Sequence, residues 1–123
     1  MSKESYALIE AYNDAWNRQD LEAICLFHAD DFVFENHTAG ERARGAEAAR
    51  AHIADIFERW PSLRFATRAL RAGADFAVCE WTASAVRPDG QRIEWDGADV
   101  FPIANGKLLR KDVYSAGHAP REV

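Results

Sequence analysis

Cysteine is scarce in this sequence. Cys25 and Cys79 are the only two, each sits inside an apolar run, and no Cys-x-x-Cys occurs. A redox dithiol motif is thereby excluded, and two free, buried thiols of a cytoplasmic protein are expected. Long hydrophobic runs are missing too, and the opening residues Met1-Ser2-Lys3-Glu4-Ser5-Tyr6 hold no apolar signal-peptide core. Neither a signal peptide nor a membrane span is expected. No cluster of Lys and Arg gathers on one segment, and the net charge is −5 with a pI near 5.3. That balance argues against nucleic acid or an anionic membrane surface as partner. His28, His37, His52 and His118 lack the His-x3-His spacing of a zinc site, and neither a glycine-rich phosphate loop nor a Ser or Cys nucleophile motif occurs. No metal and no cofactor is expected. A small, uncharged or weakly charged ligand fits these exclusions.

What is present describes an ordinary globular chain. Hydrophobic residues make up 48% and charged residues 28%, which over 1–123 predicts one domain with an enclosed core. Leu8, Ile9, Tyr12, Ala15 and Trp16 lie on one helical face. Asp20 is placed to cap a short second helix over Leu21 to Phe27. Phe32 to His37 reads as a strand, and Thr38 to Gly45 as a polar loop. Ala49, Ile53, Ile56, Phe57 and Trp60 mark a third helix that Pro61 stops. From Leu63 the period falls to two, predicting strands at Leu63–Ala72, Phe76–Val86, Ile93–Ile103 and Leu108–Ser115. Arg87-Pro88-Asp89-Gly90 and Asn105-Gly106 are turn signals. The tail from Ala116 is expected to be loose. Three helices, with one strand among them and four strands after, make an α+β domain. A curved, mostly antiparallel sheet with helices on its concave face encloses a blind pocket.

One pair of distant residues suggests what the pocket does. Tyr12 lies on the apolar stripe of the first helix, and Asp99 is embedded in Trp95-Asp96-Gly97-Ala98-Asp99-Val100-Phe101. A carboxyl among aromatic strand residues is desolvated, which raises its pKa. A protonated carboxyl beside a tyrosine hydroxyl supplies two donors, the elements of an oxyanion hole.

Two stretches, Trp16-Asn17-Arg18-Gln19-Asp20-Leu21 with His28-Ala29-Asp30-Asp31-Phe32, and Gly97-Ala98-Asp99-Val100-Phe101 with Asn105-Gly106-Lys107-Leu108, carry a family resemblance. Over about Tyr6 to Ser115 the chain resembles the nuclear transport factor 2-like superfamily, including ketosteroid isomerase, SnoaL-like polyketide cyclases, limonene epoxide hydrolase and scytalone dehydratase. The resemblance implies a cone-shaped fold and a homodimer through the convex sheet face, where Val86, Val100 and Val113 are offered as contributors. It implies that Tyr12 and Asp99 are the oxyanion-hole donors of an isomerase-like site. The catalytic aspartate of ketosteroid isomerase falls on Asn36 here, and an amide cannot shuttle a proton. By resemblance to the SnoaL-like cyclases, Asp112 is an acid/base candidate. His37, beside Asn36, is another, because a neutral imidazole is a competent base near pH 7.

Trp16, Phe34, Phe57, Trp60, Trp81 and Trp95, with Asn36, are the expected ligand-holding wall. Glu80 is expected to pair with an arginine from a neighbouring strand. The reading is cofactor-free acid/base chemistry on a small apolar carbonyl compound: enolisation, isomerisation or cyclisation. Two alternatives stay open, a non-catalytic ligand-binding module and a hydratase or epoxide hydrolase. The last needs a carboxylate–arginine–carboxylate arrangement, and Thr82 stands where one of its carboxylates would be.

Overall fold

The computed structural model describes residues 2–123. Helix α1 spans Lys3–Asn17, α2 Leu21–Leu26 and α3 Ala46–Arg59. Strands are β1 His28–Asn36, β2 Glu41–Arg44, β3 Arg64–Ala72, β4 Phe76–Val86, β5 Arg92–Ala104, β6 Lys107–Ser115 and β7 Arg121–Glu122.

Local chemistry sets most boundaries. The Ser2 hydroxyl accepts from the Ser5 N–H and caps α1. The Asp20 carboxylate accepts from the Ala23 N–H and caps α2. Asn105 and Gly106, both at positive φ, form the two-residue turn between β5 and β6, closed by the Ala104–Lys107 pair.

The strands order as β2-β1-β6-β5-β4-β3, with β7 pairing to β5. Every pairing is antiparallel except β1 with β6, which is parallel. Irregularities in register interrupt β3–β4 and both edges of β6. Such bulges bend strands and coil the sheet around one face. Helix α1 covers β3 and β4 on that face, and α3 covers β1 and β2. Ile9, Tyr12, Ala15, Trp16, Ala49 and Ile53 are the helix residues buried there, against Phe32, Phe34, Phe101 and Leu108 from the sheet. Each fully buried large side chain contributes roughly 1.5–3 kcal/mol.

The α+β architecture is the one the sequence predicts, a curved sheet with three helices on its inner side. Details differ. The segment Thr38 to Gly45 holds β2 rather than only a loop, because Arg44 to Glu41 complete the hydrogen bonding of Val33 to Asn36. The first strand begins at His28, four residues early. The tail returns to the sheet, where Glu122 and Arg121 pair with Ile93 and Glu94.

Candidate functional site

Alternation along the strands decides what the concave face presents. Phe34 and Asn36 of β1, Trp81 of β4, Trp95 and Asp99 of β5, and Lys111, Val113 and Ser115 of β6 all line one cavity of about 320 Å³. Trp16 from α1 and Ile56, Arg59 and Trp60 from the end of α3 close its helical side. Ala39, Glu41 and Arg59 are exposed and form its mouth. Six aromatic residues (Trp16, Phe34, Trp60, Phe65, Trp81 and Trp95) supply much of the wall. Trp60 is half-buried at the rim, unlike the fully enclosed Trp16. Phe57 stands behind the wall, edge-on to Trp16 at 5.1 Å between ring centres.

Gly97 makes one part of this wall feasible. It pairs with Trp81 across β4 and β5, and the Trp81 ring lies over it. A Cβ on Gly97 would come within 2.3 Å of that ring and 2.8 Å of the Tyr114 carbonyl oxygen.

At the base of the cavity stand Asp99 and Lys111, each 4% exposed. Their charged groups lie 3.9 Å apart. Burial pushes the Asp99 carboxyl up from its ordinary value, partly offset by Lys111 and by the Trp81 indole. Burial pushes the Lys111 amine down, partly offset by Asp99 and then Cys79. Desolvation therefore moves both toward their neutral forms. The Lys111 Nζ also sits 3.7 Å from the Trp16 ring centre, and more distantly faces Tyr12 and Phe34. Asp99 Oδ1 and the indole N–H groups of Trp16 and Trp81 are buried and make no hydrogen bond of good geometry among the described residues, although the Trp81 indole is near enough to Asp99 to hold its carboxyl down. Unpaired polar atoms of this kind are uncommon, and His28 Nδ1, outside the cavity lining, is another. A void of about 10 Å³ behind the pair, bordered by Asn13, Thr67 and Cys79, is at the lower limit for one water.

Tyr12 is fully buried and is not on the cavity wall. Its hydroxyl shares a 2.9 Å hydrogen bond with His28 Nε2. His28 is in turn stacked on Phe32, with ring centres 3.6 Å apart. Burial lowers the His28 pKa to about 3, with Lys111 adding to the effect, so the ring is neutral near pH 7. Tyr12 and Asp99 are thus close in space without converging on one empty point. Only Asp99 faces the cavity.

His37 and Asp112 lie on the opposite face of the sheet. Asp112 is flanked by Lys111 and Val113, which both point inward, so its own side chain points out. There His37 Nε2 meets Asp112 Oδ1 at 2.8 Å, and His37 stacks on Tyr114. Arg110 donates to Asp112 and to Glu35, and Arg42 donates to Glu35. Burial works to raise the Asp112 pKa, but Arg110 and His37 outweigh it and hold the carboxyl low. Glu35, His37 and Asp112 bring three potential ligand atoms, two carboxylate oxygens and an imidazole nitrogen, within 4.8 Å of one another. The arginines already occupy these carboxylates, so the cluster is an ion-pair network. It does contain a carboxylate–arginine–carboxylate unit, Glu35–Arg110–Asp112, but turned away from the cavity.

The Asn36 side-chain oxygen accepts from the Ala39 N–H at 3.0 Å and shapes the turn at the mouth. Val113 lines the cavity rather than the outer face. Glu80 pairs with Arg71 from β3, as expected. Lys111 and His28 are the titratable residues at and behind the base of the cavity that sequence reasoning passes over, and Phe65, Arg59 and Ser115 are lining residues it also misses. The signal for Lys111 was parity within β6, and a bulge hides it.

Several solved structures share this fold. A nuclear transport factor 2-like protein of unknown function from Burkholderia pseudomallei superposes with a TM-score of 0.84 at 16% identity, covering 94% of this chain and 92% of that one. A proposed polyketide cyclase from Xanthomonas campestris gives 0.78 at 23% identity, over 91% and 90%. An epoxide hydrolase from M. tuberculosis gives 0.81 at 19% identity, over 94% and 84%. No curated protein matches the chain. At these identities the likeness is one of fold. The family follows from the sequence profile of the SnoaL-like domain, which matches residues 9–111, and the chain belongs to that family.

Proposed function

We propose that this protein carries out cofactor-free acid/base chemistry on a small, apolar carbonyl compound: enolisation, isomerisation or cyclisation. One observation carries the reading. A carboxyl–amine pair, buried and incompletely hydrogen-bonded, stands at the base of a cavity walled in part by six aromatic residues.

In this scheme the carbonyl oxygen of the substrate meets Asp99. Burial raises the Asp99 pKa, which favours its protonated form as a donor to an oxygen that gains charge as an enolate forms. Lys111, whose neutral form burial favours, takes the proton from the adjacent carbon. The indole N–H groups of Trp16 and Trp81 are further donors beside the same pair. Tyr12 acts as a positioning residue, its ring beneath the Lys111 amine and its hydroxyl fixed by His28. A homodimer through the outer sheet face is part of this reading, with exposed Phe76, Val86 and Tyr114 as apolar contributors. Light scattering at micromolar protein would return twice the chain mass, and a monomer mass would remove it.

A second reading, a binding module without catalysis, is favoured by Asn36. An amide stands there in place of a carboxylate, and it is engaged in a turn. Deuterium uptake separates the two readings without knowledge of the natural substrate. 2-Tetralone incubated with the protein in heavy water gains deuterium at its α-carbon well above the buffer rate if the site enolises ketones. Saturable binding with exchange at the buffer rate makes the protein a binder.

A further inference from the structure

We propose that Lys111 is a nucleophile that joins its substrate's carbonyl carbon as an iminium, with Asp99 as proton donor and counter-ion. This rests on the reading above that the cavity takes carbonyl compounds, and it changes the role of the amine from base to covalent partner.

Several features of the site suit this product. An iminium is a cation of delocalised charge at the nitrogen, and Nζ already lies 3.7 Å from the centre of the Trp16 ring, whose face attracts cations. Asp99 lies 3.9 Å from Nζ, too far for a direct hydrogen bond in the resting state. That gap leaves room for Asp99 to address an oxygen on the carbon that Nζ attacks. Oδ1 makes no hydrogen bond of good geometry among the described residues, so capacity remains for a substrate oxygen beside the nearby Trp81 indole. The aromatic wall supplies an apolar seat for the rest of the substrate. The fully charged pair is disfavoured by burial, which helps the amine to present its lone pair.

The chemistry balances with these two groups alone. The Nζ lone pair forms the C–N bond, and the carbonyl π electrons move to oxygen, which takes the Asp99 proton. The ammonium nitrogen so formed returns one proton to the Asp99 carboxylate, leaving a neutral carbinolamine. Asp99 then protonates the hydroxyl, the C–O bond breaks, and water leaves. The carbonyl compound, the amine and the Asp99 proton become an iminium, water and an Asp99 carboxylate. The iminium withdraws electrons from the adjacent C–H bond, so enolisation, isomerisation and carbon–carbon bond formation all become easier on it. Hydrolysis by the reverse steps frees the product and restores the resting pair.

The sequence makes the test clean. Its three lysines are Lys3, Lys107 and Lys111, and only Lys111 is buried. The full chain is incubated near neutral pH with 2-naphthaldehyde and cyanoborohydride, then analysed as intact protein and as peptides by mass spectrometry. The expected result is a single naphthylmethyl adduct on Lys111, on the order of tenfold or more above Lys107. The preference is expected because the cavity seats the aldehyde beside Nζ and burial lowers the Lys111 pKa. A 1,3-diketone, 1-phenyl-1,3-butanedione, is expected to give the near-ultraviolet band of a conjugated enaminone, absent from Lys111→Met and slower to appear in Asp99→Asn. Because wild-type peptide mapping identifies the amine directly, poor folding of either variant does not rescue the proposal. Equal labelling of all amines, or labelling that spares Lys111, overturns it. Binding of 2-naphthaldehyde, seen as quenched tryptophan fluorescence, with no adduct overturns the covalent step and leaves the acid/base reading standing. Absence of both binding and adduct overturns the two together.

Discussion

Lys111 and Asp112 are neighbours in sequence and face two different environments. Lys111 and its partner Asp99 are enclosed by aromatic rings and short of hydrogen bonds. Asp112, with Glu35, His37, Arg42 and Arg110, forms a network on the outer face in which nearly every charge has a counterpart. Both regions contain carboxylates and cations at short range. They differ in water. Inside, desolvation moves the pair toward neutrality, the condition for exchanging a proton or a lone pair. Outside, ion pairing in contact with solvent holds Asp112 low, so its carboxylate is poorly suited to accept a proton near pH 7. The chemistry proposed above therefore rests on the badly satisfied pair, while the well-satisfied network ties β1 to β6.

The largest expected effect tests that division. With 2-tetralone exchange as the assay, Asp99→Asn should lower the rate by about 10²–10³-fold, the usual cost of a donor to a developing oxyanion. Lys111→Met should cost at least about 10²-fold. Asp112→Asn and His37→Ala should leave the rate within a few-fold of wild type. A collapse of activity in the outer variants, with the inner ones active, would reverse the assignment of the two faces.

Stability should separate the regions next. Asp99→Ala leaves a lysine buried without its carboxylate, a situation that costs roughly 3–5 kcal/mol. Replacing both partners, Asp99→Leu with Lys111→Met, should be near neutral or more stable by about 1–4 kcal/mol, since two desolvated groups are removed. Urea unfolding of the three proteins checks this. A double variant no more stable than Asp99→Ala would mean that the pair is a structural tie and not a strained functional one.

His28 belongs to the inner region, and its contribution depends on pH. Its folded pKa is about 3, against about 6.5 in an unfolded chain. Above pH 7 the ring is neutral in both states and contributes no pH dependence. As pH falls through 6.5 the unfolded state takes up a proton that the folded state refuses, and stability declines until the folded pKa is reached. Between pH 7 and 5 the loss should be about 2 kcal/mol. Urea midpoints across that range, compared with those of His28→Gln, isolate the effect. An identical slope in the variant would show that His28 can charge in place.

The same contrast explains what could be read from the sequence. Helix faces, turns and strands were legible because burial forces period 3.6 or 2 on apolar residues, and Asn105-Gly106 can do little but turn. Asp99 was legible because strand alternation puts a lone carboxyl on the face of Ile93, Trp95 and Phe101, where burial without a role would only cost stability. Five of the six aromatic residues expected on the wall line the cavity, and Phe57 backs it. The acid/base candidates on β6 were not legible, and the reason is one bulge. Leu108 to Asp112 spans four steps on β6 against three, Ile103 to Val100, on β5. That extra residue turns Lys111 inward and Asp112 outward, and nothing in Leu109-Arg110-Lys111-Asp112 marks it. Tyr12 is expected from the sequence to aim its hydroxyl into the pocket, whereas in the structure it lies behind the wall and meets His28, a partner the sequence does not reveal. The pairing depends on how α1 crosses the start of β1, which no local pattern specifies.

Ionic strength gives the smallest effect and the finest comparison. Salt screens charges in contact with water and scarcely reaches buried ones. Arg110 keeps a side-chain exposure of 36% and Asp112 one of 13%, whereas Asp99 and Lys111 keep 6% each. Asp112→Asn should therefore cost about 1 kcal/mol or less in dilute buffer, as partly exposed ion pairs do, and less again in about 1 M potassium chloride. The coupling between Asp99 and Lys111, read from a double-variant cycle, should change little between the same two buffers. Urea unfolding at both salt concentrations supplies each number. If salt weakened the inner coupling as much as the outer one, water would have to reach Asp99 in the folded protein. The cavity would then lack the desolvation that the carboxyl–amine chemistry requires, and the distinction between the two faces would fail at its physical root.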